Sequence, residues 1–158
     1  MKLRDIVVAS AVFPALTSTK RDGVIGELVD GLVRAGVVTA GDRAMIVKES
    51  MSRERKGSTG FGHGVAVPHA KSSLVTRPCA AIGLCPAGID FSALDRQPVF
   101  TVVFLLSPIS DPESHLAAME SIFGALSQES FRRFMRQAKV VEDITSLIDE
   151  VDGARAPR

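Results

Sequence analysis

The sequence contains no Trp and no Tyr; its aromatic residues are eight Phe. Their absence excludes binding built on Trp or Tyr platforms, as in many carbohydrate sites and RNA-stacking surfaces. There is no excess of charge of one sign either. Nineteen Lys and Arg stand against eighteen Asp and Glu, a net charge of +1. That balance supplies no field for nucleic acid or an anionic membrane surface. Long apolar runs are missing too. The run Pro98 to Leu106, interrupted only by Thr101, falls far short of the roughly 20 residues of a membrane-spanning helix. Cysteine is limited to Cys79 and Cys85, six positions apart in a segment that reads as a strand. Strand rise would hold them roughly 20 Å apart, beyond disulfide reach. They read as buried thiols of a reducing compartment, so the expected location is cytoplasmic. Ile6 to Leu16 resembles a secretory leader only superficially. Asp5 spoils the basic region, Pro14 breaks the apolar run, and no small-residue cleavage site follows. A short buried N-terminal segment is expected instead.

What is present is ordinary globular material. The chain has 158 residues, 46% hydrophobic and 23% charged, which suits one domain and argues against disorder. A chain this long buries roughly 70% of its unfolded surface. One domain over residues 1–153 is expected, with 154–158 as a frayed tail after a capping Gly153.

Helices and strands alternate. Thr19 and Asp22 approximate a capping box, and Val24, Ile25, Leu28, Val29, Leu32 and Val33 form an apolar helix face that Gly36 ends. Thr39 and Asp42 open a second helix, apolar through Ala44, Met45, Ile46 and Val47 and basic at Arg53-Glu54-Arg55-Lys56. Gly57 to Gly64 reads as a flexible glycine-rich connection. Val65-Ala66-Val67-Pro68 follows as a short strand ending in a rigid kink, because Pro68 has no N–H to donate and extends Val67. Cys79–Cys85 and Val99–Leu106 are strands, the second apolar without alternation and therefore central. Asp111-Pro112-Glu113 is a strong helix start, with Leu116, Met119, Ile122, Phe123 and Leu126 as core stripe. Ser127 and Ser130 open a helix with Phe131, Phe134 and Met135 inward. Glu142 and Asp143 open the last, with Ile144, Leu147, Ile148 and Val151 inward. The fold class is α/β, a mixed sheet with helices on both faces.

Chemistry falls to few residues. The glycine-rich stretch lacks the Gly-Lys-Ser/Thr of a phosphate loop, and it precedes a strand where a dinucleotide-binding turn would follow one. His69, just after Pro68, is held near the surface. His115 stands at about the fourth position of the helix that Pro112 starts, where free N–H groups and the helix dipole favour an anion. If the His69 strand faces this helix, two imidazoles and an anion site converge. Arg53, at the basic end of the second helix, can give a phosphoryl group a bidentate contact. His63, His69 and His115 could bind zinc, but no acidic or Cys ligand with suitable spacing accompanies them, so neither metal nor cofactor is expected.

The thirteen residues Gly57-Ser58-Thr59-Gly60-Phe61-Gly62-His63-Gly64-Val65-Ala66-Val67-Pro68-His69 resemble the active-site signature of type-2 EIIA domains of the phosphoenolpyruvate-dependent phosphotransferase system, the fructose/mannitol class. The Gly-Ser-Thr-Gly wording is most similar to the nitrogen-regulatory branch. The resemblance extends to Arg53-Glu54 and His115-Leu116, and over roughly residues 3–150. It implies the EIIA fold and a phosphoryl group carried on His69, taken from a phosphorylated HPr-like carrier and passed on. It implies that His115 orients and stabilises the site and that Arg53 neutralises phosphoryl oxygens. Two positions depart from the pattern: Ala70 replaces the usual Gly, and His63 replaces a small polar residue.

Two outputs are open: transfer to a fructose/mannitol-type EIIB domain for sugar uptake, or control of target proteins by the phosphorylation state of His69. The loop wording, and the lack of an EIIB or channel domain in the sequence, favour the regulatory output.

Overall fold

The computed structural model describes residues 1–154. A short helix α1 (Leu3–Ile6) leads into strand β1 (Val7–Phe13). Helix α2 (Arg21–Arg34), a 3₁₀ turn at Ala40–Asp42 and helix α3 (Arg43–Lys56) follow. Four short or long strands come next: β2 (Gly60–Gly62), β3 (Val65–Ala66), β4 (His69–Ser72) and β5 (Cys79–Ile89). The chain then runs through β6 (Val99–Pro108), α4 (Pro112–Leu126), α5 (Glu129–Gln137) and α6 (Val141–Ala154).

The sheet is six-stranded and mixed, in the order β1-β5-β6-β3-β2, with β4 also on β6. β6 is central as its unbroken apolar pattern predicts. It pairs antiparallel with β5 on one side and parallel with β3 and then β4 on the other. One apolar cluster packs α2 and α3 on one face through Val24, Leu28, Leu32 and Ile46. A second packs α1, α4, α5 and α6 on the other through Leu3, Ile122, Phe131 and Ile148. The expected mixed α/β sandwich is therefore present.

Local details correct several expectations. The N-terminal segment is buried through Leu3, Ile6, Ala11 and Val12 as expected, and it forms a helix and a strand parallel to β5. Thr19 does not cap α2; the cap position is Lys20, without a side-chain bond. Glu27 instead reaches back and accepts the N–H groups of Thr17 and Ser18. Gly36 ends α2 as expected, in the left-handed region at φ 77°, where a side chain is disfavoured. Met45, Leu116, Phe123 and Phe134 do not join the core. Met45 is 49% and Leu116 60% exposed; on α4 the inward stripe runs through the small Ala118 and Ala125 with Ile122 and Leu126. The helix axis therefore lies close to the sheet. At the other end, Gly153 does not cap α6: the helix runs through Ala154, so Ala154 is not tail. Residues 155–158 of the expected tail lie outside the described residues.

α1 and α6 are joined. The buried Asp152 carboxylate accepts the Leu3 N–H at 2.8 Å and the Arg4 N–H at 3.0 Å. It thus caps α1 from the opposite end of the chain, satisfying donors that a helix start leaves open.

Candidate active site

The glycine-rich segment is a hairpin, not a flexible connection. β2 and β3 pair antiparallel, Gly60 with Ala66 and Gly62 with Val65. His63 at φ 59° and Gly64 at φ 75° form its tip, the positive φ pair of a type I′ turn. A Cβ at Gly60 would lie 2.9 Å from that of Ala93, so backbone approaches side chain where only glycine fits. Glu54 fixes the base of the hairpin. It is 1% exposed, its carboxylate accepts the Thr59 N–H at 3.1 and 3.2 Å, and the Thr59 hydroxyl also donates to it. Thr59 in turn gives its carbonyl to the Val67 N–H at 3.3 Å.

Pro68 interrupts the strand but does not end it. Without an N–H it contributes only its carbonyl, which accepts the Leu105 N–H at 3.0 Å. The chain resumes pairing at once: His69 stands opposite Leu105, and Ala70 opposite Leu106. His69 therefore opens a strand rather than lying beyond one. Ala70 is buried in the α2/α3 cluster, so its methyl group enters the core.

The structure brings His69 and His115 together. Their ring centroids are 5.5 Å apart with planes tilted by 49°. Both are half-buried. His69 Nδ1 is 2.9 Å from the Val67 carbonyl. A carbonyl only accepts, so Nδ1 carries the proton and, in the neutral ring, Nε2 carries the lone pair. His115 Nδ1 is 2.7 Å from the Ser107 hydroxyl. Burial foremost, then His69 and Lys71, lower the His115 pKa below its ordinary value, which keeps that ring neutral near pH 7.

Ser107, fully buried on β6, was not legible from sequence: a serine in an apolar run carries no signal of its own. Glu54 was hidden among basic neighbours, and its signal was the Thr59 five residues on, at the head of the hairpin.

The start of α4 is less open than expected. Pro112 has no N–H, the Ser114 N–H is capped by Asp111 at 3.1 Å, and the His115 N–H bonds the Asp111 carbonyl at 3.4 Å. Among the described residues, Glu113 alone of that turn keeps an unpartnered N–H. Arg53 is exposed at the end of α3, and its Nη1 donates to the Gly57 carbonyl at 2.8 Å. It shares no hydrogen bond with either histidine among the described residues. His63 is exposed at the hairpin tip, without a ring contact to the histidine pair.

Comparison with known proteins identifies relatives of this chain. Residues 6–151 match the family model for the phosphoenolpyruvate-dependent sugar phosphotransferase system, EIIA 2. A fructose-specific EIIABC component of Bacillus subtilis is 30% identical over 96% of this chain, which spans only 24% of that protein. A fructose-specific EIIA component of Haloferax volcanii is 31% identical, with 83% of this chain and 84% of that protein covered. A nitrogen regulatory protein of Pseudomonas aeruginosa is 33% identical, with 72% and 74% covered. The nitrogen regulatory protein IIA-Ntr of Neisseria meningitidis superposes with TM-score 0.81 at 25% identity, covering 91% of this chain and 97% of that one. The mannitol enzyme IIA of Escherichia coli, solved in complex with phosphorylated enzyme IIB, shares the fold at TM-score 0.74 and 19% identity, over 90% and 96%. With nearly its whole length matched, the chain belongs to the EIIA type-2 family of the phosphoenolpyruvate-dependent phosphotransferase system.

Proposed function

We propose that this protein is a phosphocarrier that accepts a phosphoryl group on His69 Nε2 from a phosphohistidine of an HPr-like protein, with a regulatory, nitrogen-type output. The observation that carries this reading is the 2.9 Å contact between His69 Nδ1 and the Val67 carbonyl. It fixes the tautomer in which Nε2 is the nucleophile, so no separate base is needed.

Transfer then requires no proton movement. The Nε2 lone pair attacks phosphorus in line, the phosphorus–nitrogen bond of the donor breaks, and its electron pair returns to the donor ring. The donor leaves neutral, and the His69 ring takes over the positive charge while its Nδ1–H stays on the Val67 carbonyl. Phosphoryl transfer depends on positioning and charge stabilisation. His115 supplies both: if the Ser107 hydroxyl donates to Nδ1, Nε2–H is free to donate to a phosphoryl oxygen. Arg53 completes the site by turning from the Gly57 carbonyl to a phosphoryl oxygen. Charge-assisted bonds of this kind are worth about 1.5–3 kcal/mol each.

The regulatory output is supported by the Gly57-Ser58-Thr59-Gly60 wording and by the nitrogen regulatory relatives. A second reading, onward transfer to an EIIB domain, is favoured by the fructose-specific relatives and by the mannitol enzyme's complex with enzyme IIB. In both cases the protein acts in the cytoplasm, as one domain that includes the whole of α6 through Ala154.

The test is incubation with phosphoenolpyruvate, enzyme I and HPr, followed by intact mass. One acid-labile phosphoryl group is expected, and none on His69→Ala; undiminished labelling of that variant overturns the assignment. His115→Ala is expected to be labelled yet to transfer poorly. Efficient transfer to one sugar-specific EIIB would select the second reading.

A further inference from the structure

A groove of about 850 Å³ lies between α5 and the tip of the β2–β3 hairpin. Arg132, Arg133 and Arg136 of α5 line it together with His63 of the hairpin tip and Phe100 of β6. The signature reading leaves His63 without a role, and this groove is where the hairpin presents it. The site is separate from the histidine pair. Phe100 precedes Leu105, the partner of His69, by five residues of β6, about 16 Å by strand rise.

The arginines are arranged for an anion. Arg132 and Arg136 are four residues apart on α5, hence on one helix face. Neither has a carboxylate partner among the described residues. Arg132 is half-buried and anchored by one nitrogen, Nη1 donating to the Leu126 carbonyl at 2.8 Å. Arg136 lies against the Phe100 ring, its Cζ 3.7 Å from the centroid. Stacking orders the guanidinium and leaves its N–H edge for a second partner. The two acidic residues of the groove are held by other groove residues and not by Arg132 or Arg136. Asp95 accepts the Gln97 N–H at 3.1 Å, and Glu129 lies 3.9 Å from Arg133.

We propose that this groove is a second, non-catalytic anion site, taking a small molecule that carries a diphosphate. Two ordered forks on adjacent turns suit two linked tetrahedral oxyanions better than one. The volume lies in the range of small-molecule sites. The one aromatic face, Phe100, is already covered by Arg136, so the anion is gripped rather than a base stacked. The near-neutral chain offers no extended basic surface for nucleic acid.

The experiment is calorimetric titration of the full chain with pyrophosphate, with inorganic phosphate and succinate as comparisons. Saturable pyrophosphate binding is expected, at least about tenfold tighter than either comparison. Arg132→Gln and Arg136→Gln are each expected to weaken it about tenfold or more, with His69→Ala binding as the unaltered protein does. Circular dichroism checks folding, and Arg133→Gln, an exposed change, supplies a variant that keeps the core and the Phe100 stack. Absence of saturable binding, equal binding of succinate, or full affinity in both Arg132→Gln and Arg136→Gln overturns the proposal. So does binding of an acidic peptide without binding of pyrophosphate. Phosphorylation of His69 is read separately, so failure here leaves the phosphocarrier assignment standing, and the reverse.

Discussion

His115 and Ser107 are joined across the boundary between α4 and β6, imidazole Nδ1 to hydroxyl at 2.7 Å. The helix residue is thereby oriented by the central strand against which His69 is registered. One strand thus positions both rings: His69 through its pairing with Leu105, and His115 through a buried side chain two residues further on.

The first prediction concerns the charge of His115. Its pKa is depressed by burial, with His69 and Lys71 adding to the effect. The unfolded chain therefore binds more protons than the folded one just below the ordinary histidine range. The sign follows: this group's contribution is fully present above that range and is lost as pH falls through it. Urea midpoints are expected to fall between about pH 8 and about pH 5, and to fall less in His115→Gln. Phosphorylation of His69 places about two negative charges beside the ring and is expected to move the His115 titration upward. Two-dimensional NMR of the imidazole resonances measures it; a downward or absent shift would separate His115 from the phosphoryl group.

Glu54 supplies the second. Its buried carboxylate holds Thr59 by backbone and hydroxyl, so Glu54→Leu leaves a buried N–H unpaired. Such a loss costs about 1–3 kcal/mol. The expected outcome in urea unfolding is a drop of that size, with faster amide exchange at Thr59 and Val67. The N–H of Val67 bonds the Thr59 carbonyl at 3.3 Å, so the loosened hairpin should also slow labelling of His69. An unaltered labelling rate would confine Glu54 to stability.

Thiol chemistry gives the third. Burial pushes Cys79 and Cys85 each up to about 11. Thiolate is the reactive form, so both should resist alkylation near neutral pH in the native protein and react together once urea unfolds it. Rapid modification of either in the native state would mean that the β5–β6 ladder opens locally.

Much of this architecture was readable before any coordinates. The 3.6-residue stripe of α2, the Asp111-Pro112 start of α4 and the unbroken apolar run of β6 are local patterns whose cause is local. The misreadings have equally physical causes. Leu116 and Phe123 fit the helical period, yet α4 turns Ala118 and Ala125 toward the sheet, and periodicity alone does not choose between neighbouring faces. Gly57 to Gly64 looked flexible because glycine frees an isolated chain; pairing with Val65 and Ala66 removes that freedom. At the site, Pro68-His69 and the helix position of His115 were visible as a signature. Ser107 was not, and Glu54 was visible only as a neighbour of Arg53, its bonds to Thr59 being masked by the basic residues around it.

The bond between Asp152 and the start of α1 has a consequence for how such a unit is used. The chain enters and leaves its fold at one corner, with Leu3 and Asp152 in direct contact. A unit closed in this way can be spliced into a longer polypeptide like a bead with a single point of attachment, without prising its sheet apart. The geometry suits a unit whose likeness covers 24% of the fructose-specific EIIABC component of Bacillus subtilis and 74% of the nitrogen regulatory protein of Pseudomonas aeruginosa.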